Sequence, residues 1–549
     1  MISSISIENF KAFGKKQKLS IKPITLIFGP NSSGKSSIIH SLLFAQHALK
    51  TGKLDVYRTS GGGESVDLGG FRQFVFKGNR DNLFTWSVEI AVKNLKNELL
   101  EFLSPARTLE ISLSMRLPQK EASPGEIVYA DTPVVSSFFV NADGKELFSL
   151  GARQDNRLRM ERLNHEHPVF RNIFKSIIEV STTVQNILPE DYDYLREGVA
   201  GILSKMEFTA EKFFPQSAGK SEKDTTYLES SLIPVSRGNR KENILATIEL
   251  IIPRKIAIFL KDLYNEVQGY FNNLSYLGPL RSYPPRHLAF LESEDHNWYA
   301  GGGFAWEVLR KDTKVREKVN QWLGDKDKLQ TPYHLEIKDF VSYEDLSSDY
   351  VGEIEDIENK YFGDAPQLET GERDMFGELY EVLSKIKKSS HRQAAISELF
   401  LKDLRTDTIV SHRDVGIGIS QIIPVLVSAY AHQNKMIAIE QPEIHIHPGL
   451  QAAIGDIFIN SALGDQKNTF ILETHSEHLI LRILRRIRET SENELPKGVL
   501  PIMPQDVSVI YIKPSKKGAV IYELPVSEEG EFKKKWPDGF FAERADELF

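Results

Sequence analysis

Apolar and polar residues alternate from Ile2 to Ile7, and this pattern predicts a half-buried β-strand. A second strand is predicted at Ile24–Phe28, because a short apolar run lies there between a proline and a glycine. Helical spacing of apolar residues follows from Ser36 to about Leu49, and strand patterns return over residues 84–92 and 108–116. The pattern therefore predicts a strand, a loop and a helix in succession, followed by further strands.

The apolar spacing becomes mostly helical between residues 150 and 275, apart from a polar interruption at residues 217–226 that we interpret as a loop. From about residue 406 onward, short apolar strands alternate with helical stretches, which is the pattern of an α/β fold. No repeat of fixed period and no long heptad run is present, so long coiled-coil arms are not expected.

The composition is that of an ordinary folded protein, with 41% hydrophobic and 26% charged residues. Lys and Arg total 68 against 76 Asp and Glu, and the net charge of −8 gives no whole-chain signature of nucleic-acid binding. The absence of cysteine excludes disulfides, thiolate zinc sites, iron–sulfur clusters and cysteine nucleophiles. No apolar run approaches the ~18 residues of a membrane helix, and no signal-peptide pattern opens the chain, so we expect a cytoplasmic protein with no membrane partner.

The strongest chemical signal is the run Gly29–Ser36, which matches G-x-x-x-x-G-K-[ST] at every fixed position. Its glycines let the backbone wrap around phosphate groups, and the start of the following helix points amide groups at the anion. Lys35 is expected to reach the β- and γ-phosphates, and the Ser36 hydroxyl is expected to ligate Mg²⁺. The residues predicted to bind the nucleotide in this segment are Asn31, Ser32, Ser33, Gly34, Lys35, Ser36 and Ser37.

A second signal is an apolar strand, residues 436–439, that is followed by the acids Glu440 and Glu443. In a P-loop enzyme such a strand end supplies the second Mg²⁺ contact and the residue that activates water. The spacing of 405 positions from Lys35 to Glu440 far exceeds that in a compact P-loop GTPase or kinase. It predicts an ATPase head split by a large insertion. Taken alone, the strand and its acids are equally consistent with an ordinary strand and turn.

A third signal is the run Asp414–Gln421, in which two glycines, a serine and a glutamine lead into an apolar helix. Backbone amides at such a helix start form a second anion-binding surface. One phosphate chain does not need two such surfaces, so this one suits the nucleotide of another subunit. A plain helix entry is the alternative. The candidate residues are Gly416, Gly418, Ser420 and Gln421.

Three weaker signals each carry a structural alternative. The apolar strand at residues 470–473 delivers His475 to its carboxyl end, where ligands bind in open α/β sheets, although such a histidine is often structural. His445 and His447 stand two residues apart without a third ligand, so we expect no metal site there. Residues 344–358 hold seven acids and no Lys or Arg, which favours a solvated surface segment over a docking site for a basic partner.

The order of these motifs resembles that of ABC-type ATPase heads of the SMC/RecF/OLD branch. The opening Ile5–Phe13 is similar to the first strand of those heads, and Glu440–Pro448 is similar to their D-E-P-E-x-x-L-H-P segment. Within the branch, the C-terminal Trp536–Glu543, which reads W-P-x-G-F-F-x-E, resembles the ATPase subunits of Septu and retron-associated anti-phage systems. The motifs cover residues 1–95 and 405–549.

The resemblance implies an α/β fold, an ABC-type P-loop ATPase head assembled from N- and C-terminal segments with a large, mainly helical insertion. Leu277–Arg286 is the one segment between the two ends that supports it. The expected division is an N-terminal part of the head at 1–150, a helical insertion at 151–275, a mixed connecting region at 276–405 and a C-terminal part of the head at 406–549.

Carried over residue by residue, the resemblance implies that Lys35 and Ser36 contact phosphate and Mg²⁺ and that His475 is the switch histidine. Gln73, after Gly69-Gly70-Phe71-Arg72, is a candidate for the Q-loop glutamine that contacts Mg²⁺. The signature region that caps the ATP of a partner subunit corresponds to Gly416, Gly418, Ser420 and Gln421. The sequence departs there from L-S-G-G-Q, which leaves the register open.

The segment that follows the apolar strand at residues 436–439 departs from the family pattern. Glu440 stands where the branch usually has Asp and is the expected second Mg²⁺ contact, while Gln441 stands where the branch has the catalytic Glu. An amide cannot accept a proton as a carboxylate base does. We therefore predict slow or absent ATP hydrolysis unless Glu443 takes over the role of the base.

The resemblance implies an ATP-binding regulatory subunit of an anti-phage system that forms a head-to-tail homodimer or a larger homo-oligomer. It implies a separate HNH-type nuclease as partner and, in retrons, a reverse transcriptase with its RNA and DNA. Only 74 residues follow His475, too few for the Toprim nuclease domain of OLD enzymes, so cleavage is expected from another chain. A transporter ATPase is disfavoured, since the insertion is too long.

The alternative is a RecF-like ATPase that binds DNA directly during repair. It requires a basic face, for which two groups of residues are candidates, with a solvated helix face as the structural alternative for both. The candidates are Lys385, Lys387, Lys388 and Arg392 in one group, and Arg482, Arg485, Arg486 and Arg488 in the other.

Overall fold

The computed structural model describes residues 2–123, 126–182, 188–203, 206–217, 239–281, 297–340, 348–362, 375–390, 396–410 and 415–537. Its strands are β1 (Ile2–Glu8), β2 (Gln17–Ser20), β3 (Ile24–Phe28), β4 (Phe84–Ala91), β5 (Thr108–Arg116), β6 (Gln119–Ser123), β7 (Glu126–Tyr129), β8 (Val134–Ala142), β9 (Lys145–Ala152), β10 (Leu158–Leu163), β11 (Glu207–Thr209), β12 (Gln216–Ser217), β13 (Leu274–Leu277), β14 (Tyr333–Phe340), β15 (Ile396–Asp403), β16 (Thr408–Val410), β17 (Met436–Glu440), β18 (Thr469–Glu473), β19 (Val507–Lys513) and β20 (Val520–Glu523). Its helices are α1 (Lys35–Thr51), α2 (Phe71–Phe74), α3 (Asn97–Leu103), α4 (Pro168–Thr182), α5 (Pro189–Leu203), α6 (Arg240–Asn272), α7 (Phe304–Lys311), α8 (Thr313–Gly324), α9 (Ser348–Phe362), α10 (Met375–Ser390), α11 (Ile417–Tyr430), α12 (Pro448–Leu463) and α13 (Glu477–Ser491).

A six-stranded sheet carries the segments with candidate chemistry. Its order is β13-β17-β18-β3-β19-β20, and all neighbouring strands run parallel except the last pair. Strands β3, β17 and β18 are buried along their whole length, which explains their nearly continuous apolar sequences. The carboxyl ends of these three strands lie side by side, so the loops that follow them meet at one edge.

A nine-stranded antiparallel sheet has the order β12-β11-β10-β9-β8-β5-β4-β1-β2. The side-by-side pairing of β1 with β4 and of β4 with β5 confirms the strands expected near the N-terminus. Helix α1 contacts both sheets. It packs against β18, and its Phe44 packs edge-on against Phe84 of β4 with ring centroids 5.2 Å apart. Phe10 and Phe74 complete this aromatic cluster, which buries the helix that begins at the P-loop.

The chain forms two compact units. The first takes in the described residues of Met1–Arg281, His296–Gly302 and His432–Phe549, and it holds both large sheets. The second takes in the described residues of Gly303–Ala431, including the three-stranded sheet β14-β15-β16. The α/β head therefore draws on both ends of the chain, as the motif order predicts, while the expected boundaries at residues 150, 275 and 405 stay a prediction.

The segment expected to be a helical insertion holds the helices α4, α5 and α6 and also three strands of the antiparallel sheet. Helix α6 is the longest, and it packs along α4, α5 and α1. Its first turn is closed by a capping box between Asn239 and Glu242. The strands β10, β11 and β12 extend the sheet that begins at β1, so helical spacing alone did not reveal them.

Candidate functional site

The P-loop joins the end of β3 to the start of α1, as predicted, and its backbone requires two glycines. Gly34 caps α1 with φ of +104°, and a Cβ on it would stand 2.5 Å from the Cβ of Ala12. Gly29 has φ of +150°, and its Cβ would stand 2.6 Å from the carbonyl oxygen of Ile512. Other residues are strained in this backbone region and would collide with these neighbours.

Lys35 lies folded onto the loop that precedes it. Its Nζ donates hydrogen bonds to the carbonyl oxygens of Gly29 and Pro30, each at 3.0 Å. A small open cavity lies above this loop. Its lining residues are Lys11, Ala12, Ser32, Gly34, Lys35, Ser36, Ser37, His40 and Glu473. Five of the predicted nucleotide-binding residues thus share one cavity, while Asn31 is exposed beside it in the loop.

Ser33 is the remaining one of the seven residues that were predicted to bind the nucleotide, and it is buried. Its Oγ has no hydrogen-bond partner within the described part of the chain. A buried hydroxyl without a partner is costly, so this atom fits a loop built to receive the oxygens of an anion.

The Ser36 hydroxyl donates a hydrogen bond of 2.7 Å to Oε2 of Glu473. Glu473 ends β18, and the other oxygen of its carboxylate lies 4.0 Å from Nζ of Lys35. The parallel register of β17 and β18 places Glu440 directly beside Glu473. Two buried carboxylates therefore stand next to each other at the edge of the sheet that faces the P-loop.

Glu440 is held from the side opposite β18. The hydroxyl of Tyr276, on β13, donates to its Oε1 at 3.0 Å, and Nε2 of His40 lies 3.6 Å from the same oxygen. Nζ of Lys11 donates to Nδ1 of His40 at 2.7 Å. A lysine can only donate, so Nδ1 is the acceptor and Nε2 is the nitrogen that carries the proton toward Glu440.

The turn after β17 is tied down by a buried arginine. Arg281 donates from Nη2 to the carbonyl oxygens of Glu440 and Gln441, at 3.2 and 2.9 Å. The amide of Gln441, whose φ is +48°, donates to the carbonyl of Glu473 at 2.7 Å. Glu443 turns inward instead and accepts from the Thr474 hydroxyl at 2.8 Å and the His475 amide at 2.7 Å. Each oxygen of Glu443 therefore accepts a hydrogen bond from the loop that carries His475.

The electrostatics of the site follow from burial. Burial and the nearby charge of Glu440 raise the pKa of Glu473 to about 7. Burial also raises the pKa of Glu443, against the opposing effect of its hydrogen bonds. The pKa of Lys35 is lowered by burial despite the attraction of Glu473, and burial lowers the pKa of Arg281 to about 10. Glu440 and Glu473 are neighbours in the sheet, and this local concentration of negative charge suits a cation.

His475 follows β18 and is half-buried, as expected for a residue at the carboxyl end of a parallel strand. Burial lowers the pKa of its imidazole, and the positive charge of Lys35 lowers it further. A neutral imidazole at pH 7 can donate one hydrogen bond and accept another. His447, by contrast, is the N-cap of α12, where Nδ1 accepts from the Gly449 amide at 3.1 Å.

The predicted signature region lies in the second unit, at the start of α11. Gly416 is exposed and caps the helix with φ of −54°. Gly418 is half-buried, whereas Ser420 and Gln421 are buried, and the Ser420 hydroxyl donates to the carbonyl of Ile417 at 2.9 Å. The accessible part of this segment is therefore its first turn of backbone, while the two polar side chains face inward.

Gln73 lies on the short helix α2 and is exposed. It is not among the described residues that line the P-loop cavity. Its assignment as the Q-loop glutamine stays a prediction.

The candidate basic faces are largely neutralised where the structure describes them. On α13, Arg482 and Arg486 pair with Asp456, and Arg485 pairs with Glu489. Lys385 pairs with Glu353, which belongs to the acidic segment, at 2.9 Å. The remaining described arginine of α13, Arg488, is exposed. The side chains of Lys387 and Lys388, the whole of Arg392 and the segment 341–347 lie outside the described residues.

Within the described residues, no group of three or more His, Asp or Glu side chains is arranged to hold a metal ion by itself. The oxygens of Ser36, Glu440 and Glu473 nevertheless suit Mg²⁺, which uses one or two carboxylates together with phosphate oxygens and water. A profile for the AAA ATPase domain matches residues 1–480. The chain belongs to this AAA ATPase domain family.

Similar solved structures include head domains of SMC proteins. The head bound to the C-winged helix domain of ScpA is 11% identical, with a TM-score of 0.36 over 95% of this chain and 98% of that one. The head domain from Thermotoga maritima is 8% identical, with a TM-score of 0.32 over 96% and 99%. No curated protein matches the chain. No helix among the described residues has both the length and the apolar character needed to cross a membrane.

Membership of the AAA ATPase domain family and the order of the parallel sheet establish an ABC-type P-loop ATPase fold that binds nucleotide. The sequence patterns did not single out Glu473, Arg281, Tyr276 or the pair Lys11 and His40. Glu473 carried the same signal as Glu440, an acid at the end of an apolar strand. Arg281 lies in the proline- and arginine-rich turn, but nothing in the turn indicated its partners.

Proposed function

We propose that this ATPase is the ATP-binding regulatory subunit of a bacterial anti-phage defence system of the Septu or retron type. ATP and Mg²⁺ are its ligands, and a separate HNH-type nuclease is the partner that it controls. In a retron the assembly also includes the reverse transcriptase with its RNA and DNA. The resemblance of the sequence to Septu and retron ATPase subunits supports the defence role, and membership of the AAA ATPase domain family supports the binding of ATP.

The observation that carries the regulatory role is the turn at residues 440–443. Gln441 offers an amide where the related heads place a base, and an amide cannot take a proton from water. Glu443 is the carboxylate expected to replace it, but the Thr474 hydroxyl and the His475 amide each donate a hydrogen bond to one of its oxygens. Slow hydrolysis follows, so that ATP acts as a long-lived clamp whose loss changes the state of the assembly.

The residues that would hold the nucleotide are those of the P-loop. Lys35 would exchange its two loop carbonyls for phosphate oxygens, and the buried Ser33 hydroxyl would gain a partner. Ser36 would contact Mg²⁺, which neutralises phosphate charge when it is bound, and Glu440 would add negative charge beside it. His475 would face the γ-phosphate in its neutral form.

The clamp requires a second copy of the chain. The exposed first turn of α11 at Gly416 offers backbone amides at a helix start, which favour an anion. We propose that this turn caps ATP held by the P-loop of a second subunit, giving a head-to-tail dimer or a larger homo-oligomer.

The first experiment measures ATP binding and ATP turnover by the purified chain, with Lys35→Ala as the background control. We expect binding by calorimetry in the wild type and its loss in the variant, with turnover of both chains near the same low level. Robust turnover that Lys35→Ala abolishes would contradict the clamp and make Glu443 the next residue to substitute.

The second experiment addresses the defence role. Bacteria that carry this chain with its genetic neighbours are challenged with phages, and plaques are counted. We expect protection with the wild type and its loss with Lys35→Ala. Equal plaque numbers with and without the wild-type chain, across a broad phage panel, would speak against the defence assignment.

A RecF-like repair ATPase is the second candidate, and it depends on direct DNA binding. Asp456 and Glu489 pair with Arg482, Arg485 and Arg486, and Arg488 is the exposed arginine of α13 without an ion pair among the described residues. Salt-dependent binding of duplex DNA by the isolated chain, lost in Arg488→Ala, would favour this function.

A further inference from the structure

We propose that Glu473, which ends β18, is the carboxylate that holds the divalent cation of the bound nucleotide together with Ser36. Position in the sequence gives this role to Glu440, at the end of β17. The inference rests on the proposed binding of ATP and Mg²⁺ and adds the residue that the cation requires.

The first argument is the contact with the P-loop. Glu473 accepts the hydrogen bond of the Ser36 hydroxyl at 2.7 Å, and it is the carboxylate found among the described lining residues of the P-loop cavity. A hydroxyl has one proton to donate and two lone pairs with which to accept. Because the Ser36 hydroxyl donates its hydrogen bond to Glu473, the lone pairs of the Ser36 oxygen stay available for a cation.

The second argument is the engagement of Glu440 elsewhere. Its Oε1 accepts from the Tyr276 hydroxyl at 3.0 Å and lies 3.6 Å from Nε2 of His40. These partners hold the carboxylate toward β13 and α1. Glu440 therefore contributes negative charge next to Glu473, while Glu473 makes the direct contact with the metal-binding serine.

The third argument is the balance of charge. Glu473 and Glu440 are neighbours in the register of β17 and β18, and both are buried. Lys35 stands 4.0 Å from Oε1 of Glu473 and turns its ammonium group toward the carbonyls of the P-loop. Lys11 is the second lysine that lines the cavity. The two adjacent carboxylates supply hard oxygen donors next to Ser36, and such donors favour Mg²⁺.

The test compares two substitutions that remove charge and keep shape, Glu473→Gln and Glu440→Gln. The dissociation constant of ATP is measured for each chain with Mg²⁺ and with EDTA. The amide oxygen that Glu473→Gln introduces can still accept from Ser36, so the loop keeps its hydrogen bond. We expect Glu473→Gln to lose about tenfold or more of the gain in affinity that Mg²⁺ provides, and Glu440→Gln to lose clearly less.

A direct metal readout accompanies the affinity measurement. Binding of Mn²⁺ to the complex of chain and ATP is followed by the loss of the free Mn²⁺ signal in electron paramagnetic resonance. We expect weaker Mn²⁺ binding for Glu473→Gln than for Glu440→Gln. The reverse order, with the Mg²⁺-dependent gain intact in Glu473→Gln, would overturn the inference.

The wild-type chain separates this inference from the proposed function. A wild type that binds no ATP under either condition would overturn the proposed function. Binding that responds to Mg²⁺ equally in both variants would overturn the role of Glu473 alone. Circular dichroism checks that each variant folds, and Glu473→Ala replaces Glu473→Gln if that variant does not fold. The alanine variant is also expected to lose the Mg²⁺-dependent gain, and its full retention would contradict the proposal.

Discussion

Gln441 and Glu443 stand two residues apart in the turn after β17, yet their surroundings suit different tasks. Gln441 directly follows β17, and its backbone is held by Arg281 and by the carbonyl of Glu473. Glu443 is buried and braces the loop of His475. At the scale of single residues, the site therefore has a carboxylate used for structure and an amide at the position of the base.

The substitution Gln441→Glu tests this division of roles. It places a carboxylate directly after β17, where related heads have the catalytic base. General-base catalysis contributes about a hundredfold or more to a rate. We expect the turnover number for ATP to rise by about that factor, measured as phosphate release at saturating ATP. Glu443→Gln is the comparison variant, and it is not expected to raise the low wild-type rate. A rate that Gln441→Glu does not raise, together with one that Glu443→Gln abolishes, would assign the base to Glu443.

At the scale of elements, the helices α5 and α6 are joined by a paired charge. Arg240, in the first turn of α6, donates from Nε and Nη2 to the two oxygens of Asp191 on α5, each at 2.6 Å. Asp191 is fully buried and also accepts from the amide of Leu188 at 2.7 Å. The hydrogen bonds from Arg240 hold the pKa of Asp191 below its usual range. Folding therefore favours the charged form of this carboxyl.

We expect Asp191→Asn to destabilise the helical pair by about 1–3 kcal/mol at pH 7, since it removes charge-assisted hydrogen bonds. The folded-state pKa is lowered, so the stabilisation is fully present above the ordinary pKa of 3.8 and is lost as the pH falls through the lower folded value. The difference in thermal unfolding midpoint between the wild type and Asp191→Asn, measured from pH 7 to pH 3, should become smaller as the pH falls.

The control for this prediction is Asp193→Asn on the same helix. Asp193 pairs with Arg196 at 3.3 Å, but both side chains are mostly exposed. Exposed ion pairs contribute little, so we expect no shift of the unfolding midpoint. Equal shifts for the two substitutions would contradict the assignment of the stabilisation to the buried pair.

At the scale of the whole molecule, the P-loop and the start of α11 belong to different compact units. The proposed sandwich unites the P-loop of one chain with the α11 turn of another. Gly416 is suited to a test of this arrangement, because a Cβ on it would meet no atom of the described residues within 4 Å and its φ of −54° is open to any residue. A side chain at this position is therefore compatible with the described fold of the single chain.

We expect the wild-type chain to dimerise with ATP and Mg²⁺, as measured by size-exclusion chromatography with light scattering. Gly416→Glu should abolish this dimerisation, because its carboxylate repels the phosphates of the partner's nucleotide. Gly416→Ala should preserve it and serves as the matched control. Dimerisation by Gly416→Glu at the wild-type ATP concentration would place the signature surface elsewhere.

Much of the head could be predicted because its signals are contiguous. The P-loop, the helix after it and the buried strands β3 and β17 each depend on a few neighbouring residues, whose spacing and glycines report the local backbone. The strands β10, β11 and β12 were not predicted, because antiparallel pairing defines them more than their own sequence does. The domain boundaries likewise depend on which distant segments pack together.

The partnership of Ser36 and Glu473 depended on the tertiary structure. These residues are 437 positions apart, and the order of the parallel sheet brings β18, rather than β17, next to β3. The same packing decided that Glu443 is occupied, that Arg281 holds the turn and that Ser420 and Gln421 face inward. A local pattern can identify which residues could bind a phosphate or a metal. Only the packing of remote strands determines which of them meet, because contact depends on register and burial.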